Sequence, residues 1–320
     1  MLRAAAGAGC TINVPSGWER ASVRAFFLHY LLTQTVVVVF VTTLISLYTR
    51  TMDKTAFSDR RVPALADCQN QPDSRQLRID KVGVKGLLHP IEVLDRTHKT
   101  QDTVARMSLL VDLPKDFKGT HMSRFVEVLN AHGRMVNVEN LPAMLHELQK
   151  KLHAQVAHII MEFPYFMEKE APVTRAKGLV DYQVIFDASA HGKDVTFTVT
   201  VTVPVTTLCP CSKAISAYGA HNQRGYVTLA LRSVRPIWIE DMIAMIEESA
   251  SSEIYSLLKR PDEKFVTEHA FDNPVFVEDL VRNVALRCNR HADITWYKVE
   301  AENIESIHNH SAYACIEKPA

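Results

Sequence analysis

Alternation of apolar and polar residues with a period of two recurs along this chain and marks strands. Three- to four-residue spacing of apolar positions marks helices between them. Leu77 to Val84, closed by Gly86, alternates as a strand, and Pro90 limits any extension beyond it. Gln101 to Leu113 (QDTVARMSLLVDL) is a second strand, stopped by Pro114. Thr120 stands where an N-cap belongs, ahead of a helix whose apolar face is Met122, Phe125, Val126 and Leu129. Leu141 to Phe163 reads as a longer helix, with Leu145, Leu148, Leu152, Val156, Ile159 and Ile160 at helical spacing. After Pro172 the pattern restarts. Leu179–Ala188 and Asp194–Val203 are strands joined by a turn around His191-Gly192, and Gly225–Val234 is a third. Ile237–Leu258 and Asn273–Asn289 are amphipathic helices, and Ile294–Glu302 is the last long strand. Strand pairs followed by helix pairs, twice over, predict an α+β protein of two tandem modules. The first covers 78–170 and the second 171–320, with the boundary near 165–176.

The N-terminal region does not fit this pattern. Phe26 to Tyr48 is almost charge-free and about long enough to cross a bilayer as a helix. Arg3, Arg20 and Arg24 precede it while Arg50, Lys54, Arg60 and Arg61 follow, so its flanks choose no orientation. It reads as a signal anchor or as an apolar leader upstream of a start at Met52. The expectation is the second: residues 1–51 outside the fold, then a flexible polar segment over 52–77.

Composition narrows the function classes. With 47% apolar and 22% charged residues the chain is ordinary globular material. A formal net charge of zero gives no global field for nucleic acid or an anionic membrane, so an anionic substrate must be met by a local cluster. Six irregularly spaced cysteines in 320 residues argue for a reducing compartment, hence the cytoplasm, rather than a disulfide scaffold. There is no Walker motif and no dinucleotide GxGxxG.

The chemistry-bearing residues concentrate in the second module. The strand ending at Val203 runs into VPVTTLCPCSK and then GAHNQR, which places Cys209, Cys211, Lys213, His221 and Arg224 within sixteen residues. A strand end that unloads thiols and an imidazole into a turn suits a soft metal or a nucleophile. A lone Cys is more often a small buried hydrophobe and a lone His a hydrogen-bonded core residue. Cys209 and His221, twelve residues apart, meet only if the chain between them folds back. Glu263 lies in RPDEK, a charged turn at a helix end, where a solvated carboxylate is the plainer reading. His308 and His310, two apart after the last strand, share one face in extended chain. One thiolate, two imidazoles and a carboxylate suit Zn²⁺, Mn²⁺ or Fe²⁺, and the carboxylate leans towards catalysis. Lys118, Arg124 and Lys213, with Lys81, Lys85 and Arg224, lie near Gly, Ser or Thr at segment junctions, as phosphate-holding cations do.

Five runs carry a resemblance: KVGVKGLLHPIEV from Lys81, KGTHMSRFVEVLN from Lys118, VPVTTLCPCSKAISAYGAHNQRG from Val203, KRPDEKFVTE from Lys259 and ESIHNHSAYA from Glu305. Over roughly Asp80 to Ala314 the chain resembles the type IB GTP cyclohydrolase I family. The resemblance implies conversion of GTP to 7,8-dihydroneopterin triphosphate with release of formate, the entry step to tetrahydrofolate and, in bacteria, to queuosine. It implies the tunnelling fold, with two ββαα modules per chain, antiparallel sheets covered by helices, and a homotetramer whose sheets form barrels. Active sites then lie between subunits. Residue by residue it implies Cys209, His221, Glu263 and His308 as metal ligands, with Cys209 also in the catalytic set. Glu278 matches the acid that anchors the purine, and Glu305 and His310 match the acid/base positions. GTP is then the expected small-molecule partner, with neither nucleic acid nor membrane. Two rivals remain open on the residues alone. One is a related nitrile reductase that uses a Cys nucleophile and NADPH; the other is a membrane-anchored metal-binding protein.

Overall fold

Among the described residues, eight strands pair in strict chain order to form one antiparallel sheet: β1 (Ile79–Asp95), β2 (Lys99–Leu113), β3 (Val156–Glu170), β4 (Lys177–His191), β5 (Asp194–Leu208), β6 (Asn222–Ser233), β7 (Ile294–Ile304) and β8 (Ser311–Glu317). Six helices lie between them: α1 (Met122–Ala131), α2 (Leu141–Leu152), α3 (Pro210–Ile215), α4 (Ile239–Glu247), α5 (Arg260–Asp272) and α6 (Val277–Arg290). The structure is a computed structural model and describes residues 67–69, 71–133 and 140–319. The expected leader over residues 1–51, with its apolar run Phe26–Tyr48, and the lead-in as far as residue 66 lie outside the described residues.

One face of the sheet is apolar because every second residue of each strand is. Ala157, Ile159, Met161, Phe163 and Tyr165 of β3 and Val199, Val201, Val203 and Val205 of β5 are buried in a single core. The helices cover this face: α1 and α2 lie over β1 to β4, α4 over β5 and β6, and α6 over β7 and β8. Each half of the sheet is thus four strands with its long helices inserted after the second strand, on the α+β plan.

The structure departs from the sequence expectation where two signals compete. Gly86 does not close β1. It sits at a register shift between Lys85 and Leu87 with φ of 74°, a bulge that only a residue tolerant of the left-handed region accommodates cheaply. Pro90 is paired with Val104 in mid-strand, which is tolerated because β1 is an edge strand with a partner on one side only. Helix α1 begins one turn position later than expected: His121, not Thr120, is its N-cap. Gln69, Gln71 and Asp73, expected to be flexible, exchange backbone hydrogen bonds with Gly119, Lys118 and Asp116, among them Lys118 N–H to the Gln71 carbonyl at 3.0 Å.

The largest correction concerns Leu141–Phe163, read as one helix. Helix α2 stops at Leu152, where His153 turns left-handed with φ of 55°, and the rest becomes β3. Val156, Ile159 and Ile160 satisfy helical spacing, but β-branched residues in alternation with polar ones fit a pleat better. Asp112, on β2, fixes the switch. Its Oδ1 accepts the N–H groups of Gln155 at 2.8 Å and Val156 at 2.7 Å, while Arg78 pairs with its Oδ2 at 3.2 Å. An Asp112→Ala variant should lose about 2–3 kcal/mol of stability in urea unfolding, since two N–H groups bound to a charged acceptor are left bare.

Helix α4 likewise ends at Glu247 rather than Leu258. Past Thr202, β5 has left its pairing with β4, and the serine run after α4 takes the open side. Ser252 exchanges backbone bonds with Thr206 at 2.9 and 3.2 Å, and Ser251 Oγ accepts the Leu208 N–H at 3.0 Å. The charged RPDEK run is the first turn of α5 and not the end of a preceding helix. Helix α6 starts at Val277, four residues after the expected Asn273, and β8 was not anticipated. Residues 171–176 form a hairpin turn between β3 and β4, which pair along their full length from Val156–His191 to Glu170–Lys177.

Candidate active site

At one end of the sheet the core face changes from aliphatic to polar. On β5 the inward series Val201, Val203, Val205 continues as Thr207; on β6 it runs Leu229, Val227, Gly225, Gln223; on β7 it runs Val299, Ala301, Asn303. Register sets Thr207 beside Gln223 and Gly225 beside Asn303. This polar end floors a cleft of about 300 Å³. Cys209, His221, Gln223, Glu278, Asn303, Glu305, His308 and His310 line it, with Val275, Phe276, Val277 and Ala312 as its apolar wall.

The chain between Cys209 and His221 does fold back. The Cys209 N–H donates to the His221 carbonyl at 3.1 Å, extending the β5–β6 ladder by one rung, and the His221 N–H donates to Ser212 Oγ at 3.3 Å. Cys209 caps α3, where its Sγ accepts the Ser212 N–H at 3.4 Å. His221 Nδ1 lies 3.0 Å from Gln223 Oε1 and 3.9 Å from Glu305 Oε2. An Nδ1–H donated to Gln223 Oε1 leaves the Nε2 lone pair free for an electrophile, the arrangement that orients metal-binding imidazoles. Val275 N–H donates to the Leu208 carbonyl at 3.1 Å, which draws the α5–α6 connection against the end of β5 and carries Glu278, in the first turn of α6, into the cleft. His308 and His310 follow β7 with their rings stacked 5.0 Å apart.

Six of the residues expected to act together therefore share this cleft: Cys209, His221, Glu278, Glu305, His308 and His310. Glu263 is exposed in the first turn of α5 and is not among the lining residues. Neither are the three expected phosphate-binding cations. Lys213 donates to the Phe271 carbonyl, with its ammonium 4.3 Å over that ring. Arg124 donates to the Lys151 carbonyl at 2.9 Å, and Lys118 is exposed ahead of α1. Gln223 and Asn303 were missed. Both stand at inward positions of their strands, and a polar residue breaking an apolar alternation was the available signal.

Among the described residues no three His, Cys, Asp or Glu side chains converge as a preformed metal cage. The donor chemistry nonetheless fits a borderline-soft divalent ion: a thiol, an imidazole held through its Nδ1, and two further imidazoles open to one cleft. No helix among the described residues is long and apolar enough to cross a membrane.

The chain is 58% identical over 257 residues to the GTP cyclohydrolase FolE2 of Akkermansia muciniphila, covering 79% of this chain and 97% of that one. It is 56% identical over 254 residues to the GTP cyclohydrolase FolE2 of Nitrosococcus oceani, covering 79% and 95%. Among solved structures, uricase from Arthrobacter globiformis superposes with a TM-score of 0.43 at 9% identity, over 75% of this chain and 92% of that one, which is too distant to support any conclusion. The model of the family described as type I GTP cyclohydrolase folE2 matches residues 65–314. The chain belongs to the type I GTP cyclohydrolase folE2 family.

Proposed function

We propose that this chain hydrolyses GTP to 7,8-dihydroneopterin triphosphate and formate, as the entry step of folate and, where present, queuosine synthesis. The observation that carries the reading is the gathering of Cys209, His221, Glu278, Glu305, His308 and His310 in one cleft. Cys209, His221 and His308 would hold a divalent Zn, Mn or Fe ion there, with Glu263 the fourth donor that the motif implies. Such an ion supplies Lewis acidity, which makes water a usable nucleophile near neutral pH.

The chain's own groups do the rest. Glu278 accepts hydrogen bonds from the N1–H and N2–H of guanine, a charge-assisted pair that fixes the purine and aims C8 at the Cys209–His221 side. Gln223 holds His221 through its Nδ1 at 3.0 Å, and Glu305, with His310, delivers and removes the protons that ring opening and formamide hydrolysis require. Val275, Phe276 and Val277 form an apolar wall that excludes bulk water from one side of the base. Lys118, Arg124 and Lys213 remain the proposed triphosphate cations. Because they lie outside this cleft, the reading brings some of them from a neighbouring subunit of a homotetramer. Among the described residues, a sheet face not covered by helices and two edges without a strand partner, β1 and β8, support such closure. On the same reading the described sheet is a tunnelling fold of two modules, β1–β4 and β5–β8 with their helices. GTP and reduced thiols point to the cytoplasm.

Formate release from GTP, with Mn²⁺, Fe²⁺ and Zn²⁺ compared, is the direct test. Absence of formate under all three would refute the assignment. Glu278→Ala should raise KM for GTP by about 10–100-fold, the loss of a charged pair of hydrogen bonds, with metal content unchanged. An unaltered KM would remove Glu278 from the purine site.

A further inference from the structure

Asn303 occupies a position that an aliphatic residue would fill at no penalty. It follows Val299 and Ala301 in the inward series of β7, is 2% exposed, and its Oδ1 is buried without a hydrogen-bond partner. Folded proteins seldom leave such an acceptor bare, because burial strips its water and returns nothing. The oxygen is also held deliberately close to its neighbours. Gly225 lies opposite, where a Cβ would come 2.6 Å from Asn303 Oδ1 and 3.2 Å from Val205 Cγ2. Glycine at this register position leaves the amide the space it occupies. Asn303 lines the cleft, two residues before Glu305, which follows the end of β7, and one inward position from Gln223, the partner of His221. It therefore stands on the Cys209–His221 side, apart from the helix that carries Glu278.

We propose that Asn303 is a substrate-contacting residue whose Oδ1 accepts a hydrogen bond from N7 of the purine after C8 has been attacked. The inference rests on the GTP reading above. In GTP neither nitrogen of the five-membered ring carries a hydrogen, and the N1–H and N2–H donors are taken by Glu278. When the oxygen of water bonds to C8, the C8–N7 π pair moves onto N7, N7 takes a proton from a cleft acid, and the water's proton passes to a cleft base. A ring N–H then exists for the first time. An acceptor that is bare in the free protein and in the substrate complex, and partnered only beyond the attack, stabilises the reacting state selectively. It raises kcat and leaves substrate affinity alone.

The test is steady-state formate release from GTP by the full metal-loaded chain and by Asn303→Ala and Gly225→Ala, with metal content and thermal melting measured on each. Asn303→Ala should lower kcat by about 10–100-fold, keep KM within about threefold and keep full metal content. Its melting temperature should stay level or rise, because an orphaned acceptor has been removed. Gly225→Ala should lower kcat in the same way by displacing the amide. A kcat within threefold of wild type in Asn303→Ala overturns the inference. So does a lowered melting temperature with unchanged kinetics, which would mark the oxygen as the seat of a structural water. Wild-type chain that turns GTP over alongside an unaffected Asn303→Ala sinks this inference alone; wild-type chain that releases no formate sinks it together with the GTP reading.

Discussion

Cys209→Ala is expected to lose at least about 100-fold in formate release and to purify with less bound metal. Removal of an outer partner of a metal ligand already costs about 10–100-fold, and Cys209 is proposed as a ligand itself. The local structure makes the test clean. The Cys209 backbone stays tied to the His221 carbonyl, and the helix it caps is only six residues long, so the fold does not depend on the sulfur. His221→Ala and His308→Ala should behave alike. Cys68→Ala, an exposed position, should be silent, and Cys288→Ala should touch stability without touching turnover, because Cys288 is 1% exposed on the buried face of α6. Full metal content and ordinary formate release in Cys209→Ala would remove the thiol from the site.

The second large effect is structural. Asp262 is wholly inaccessible to solvent and accepts four hydrogen bonds: from the Thr174 hydroxyl at 2.6 Å, the Thr174 N–H at 2.8 Å, and the Val173 and Lys259 N–H groups at 2.9 Å each. It clamps the first turn of α5 to the β3–β4 hairpin and so positions the neighbouring Glu263. Burial alone would raise this carboxyl. The bonds from Thr174, Lys259 and Val173 outweigh it and hold the group well below the ordinary carboxylate range. The folded chain therefore takes up this proton at lower pH than the unfolded chain, whose Asp titrates near about 3.9. The resulting stabilisation is complete above that pH and is lost as pH falls further. Asp262→Ala should lower the melting temperature at pH 7 by on the order of 10 °C, and the gap to wild type should narrow below about pH 4. A gap that stays constant with pH would assign the effect to shape and not to charge.

The strands of the second half could be read from sequence because Val and Thr alternate in them with little competition, as in Asp194–Leu208. Where two periods fitted the same residues, the reading failed. Ile159 and Ile160 complete a helical stripe by count, and only Asp112, more than forty residues earlier, decides that the chain leaves the helix at His153. The serines that end α4 are similar: their partners Thr206 and Leu208 are distant in sequence. The candidate site divides along the same line. Cys209 and His221 were legible because unusual residues sit close together, and their meeting needed only one hairpin. Asn303 is unremarkable in sequence and acquires meaning only once Gly225 is known to face it. Glu263 shows the converse, since the family resemblance named it while the described fold leaves it outside the cleft.

The strict chain order of the sheet has a consequence for the timing of synthesis. Each strand pairs with the one made just before it, so the sheet can grow from its first edge as the chain leaves the ribosome. The cleft cannot form so early. Its first thiol, Cys209, and its last imidazoles, His308 and His310, are separated by about a hundred residues, and at about 5–20 residues per second that is an interval of roughly 5–20 s. Through that interval the nascent protein has its first five strands, gains the sixth and seventh, and has no complete site. It can bind neither substrate nor metal in the final manner until the tail that bears β8 has been released, which makes truncation near the C-terminus far more damaging to activity than to folding.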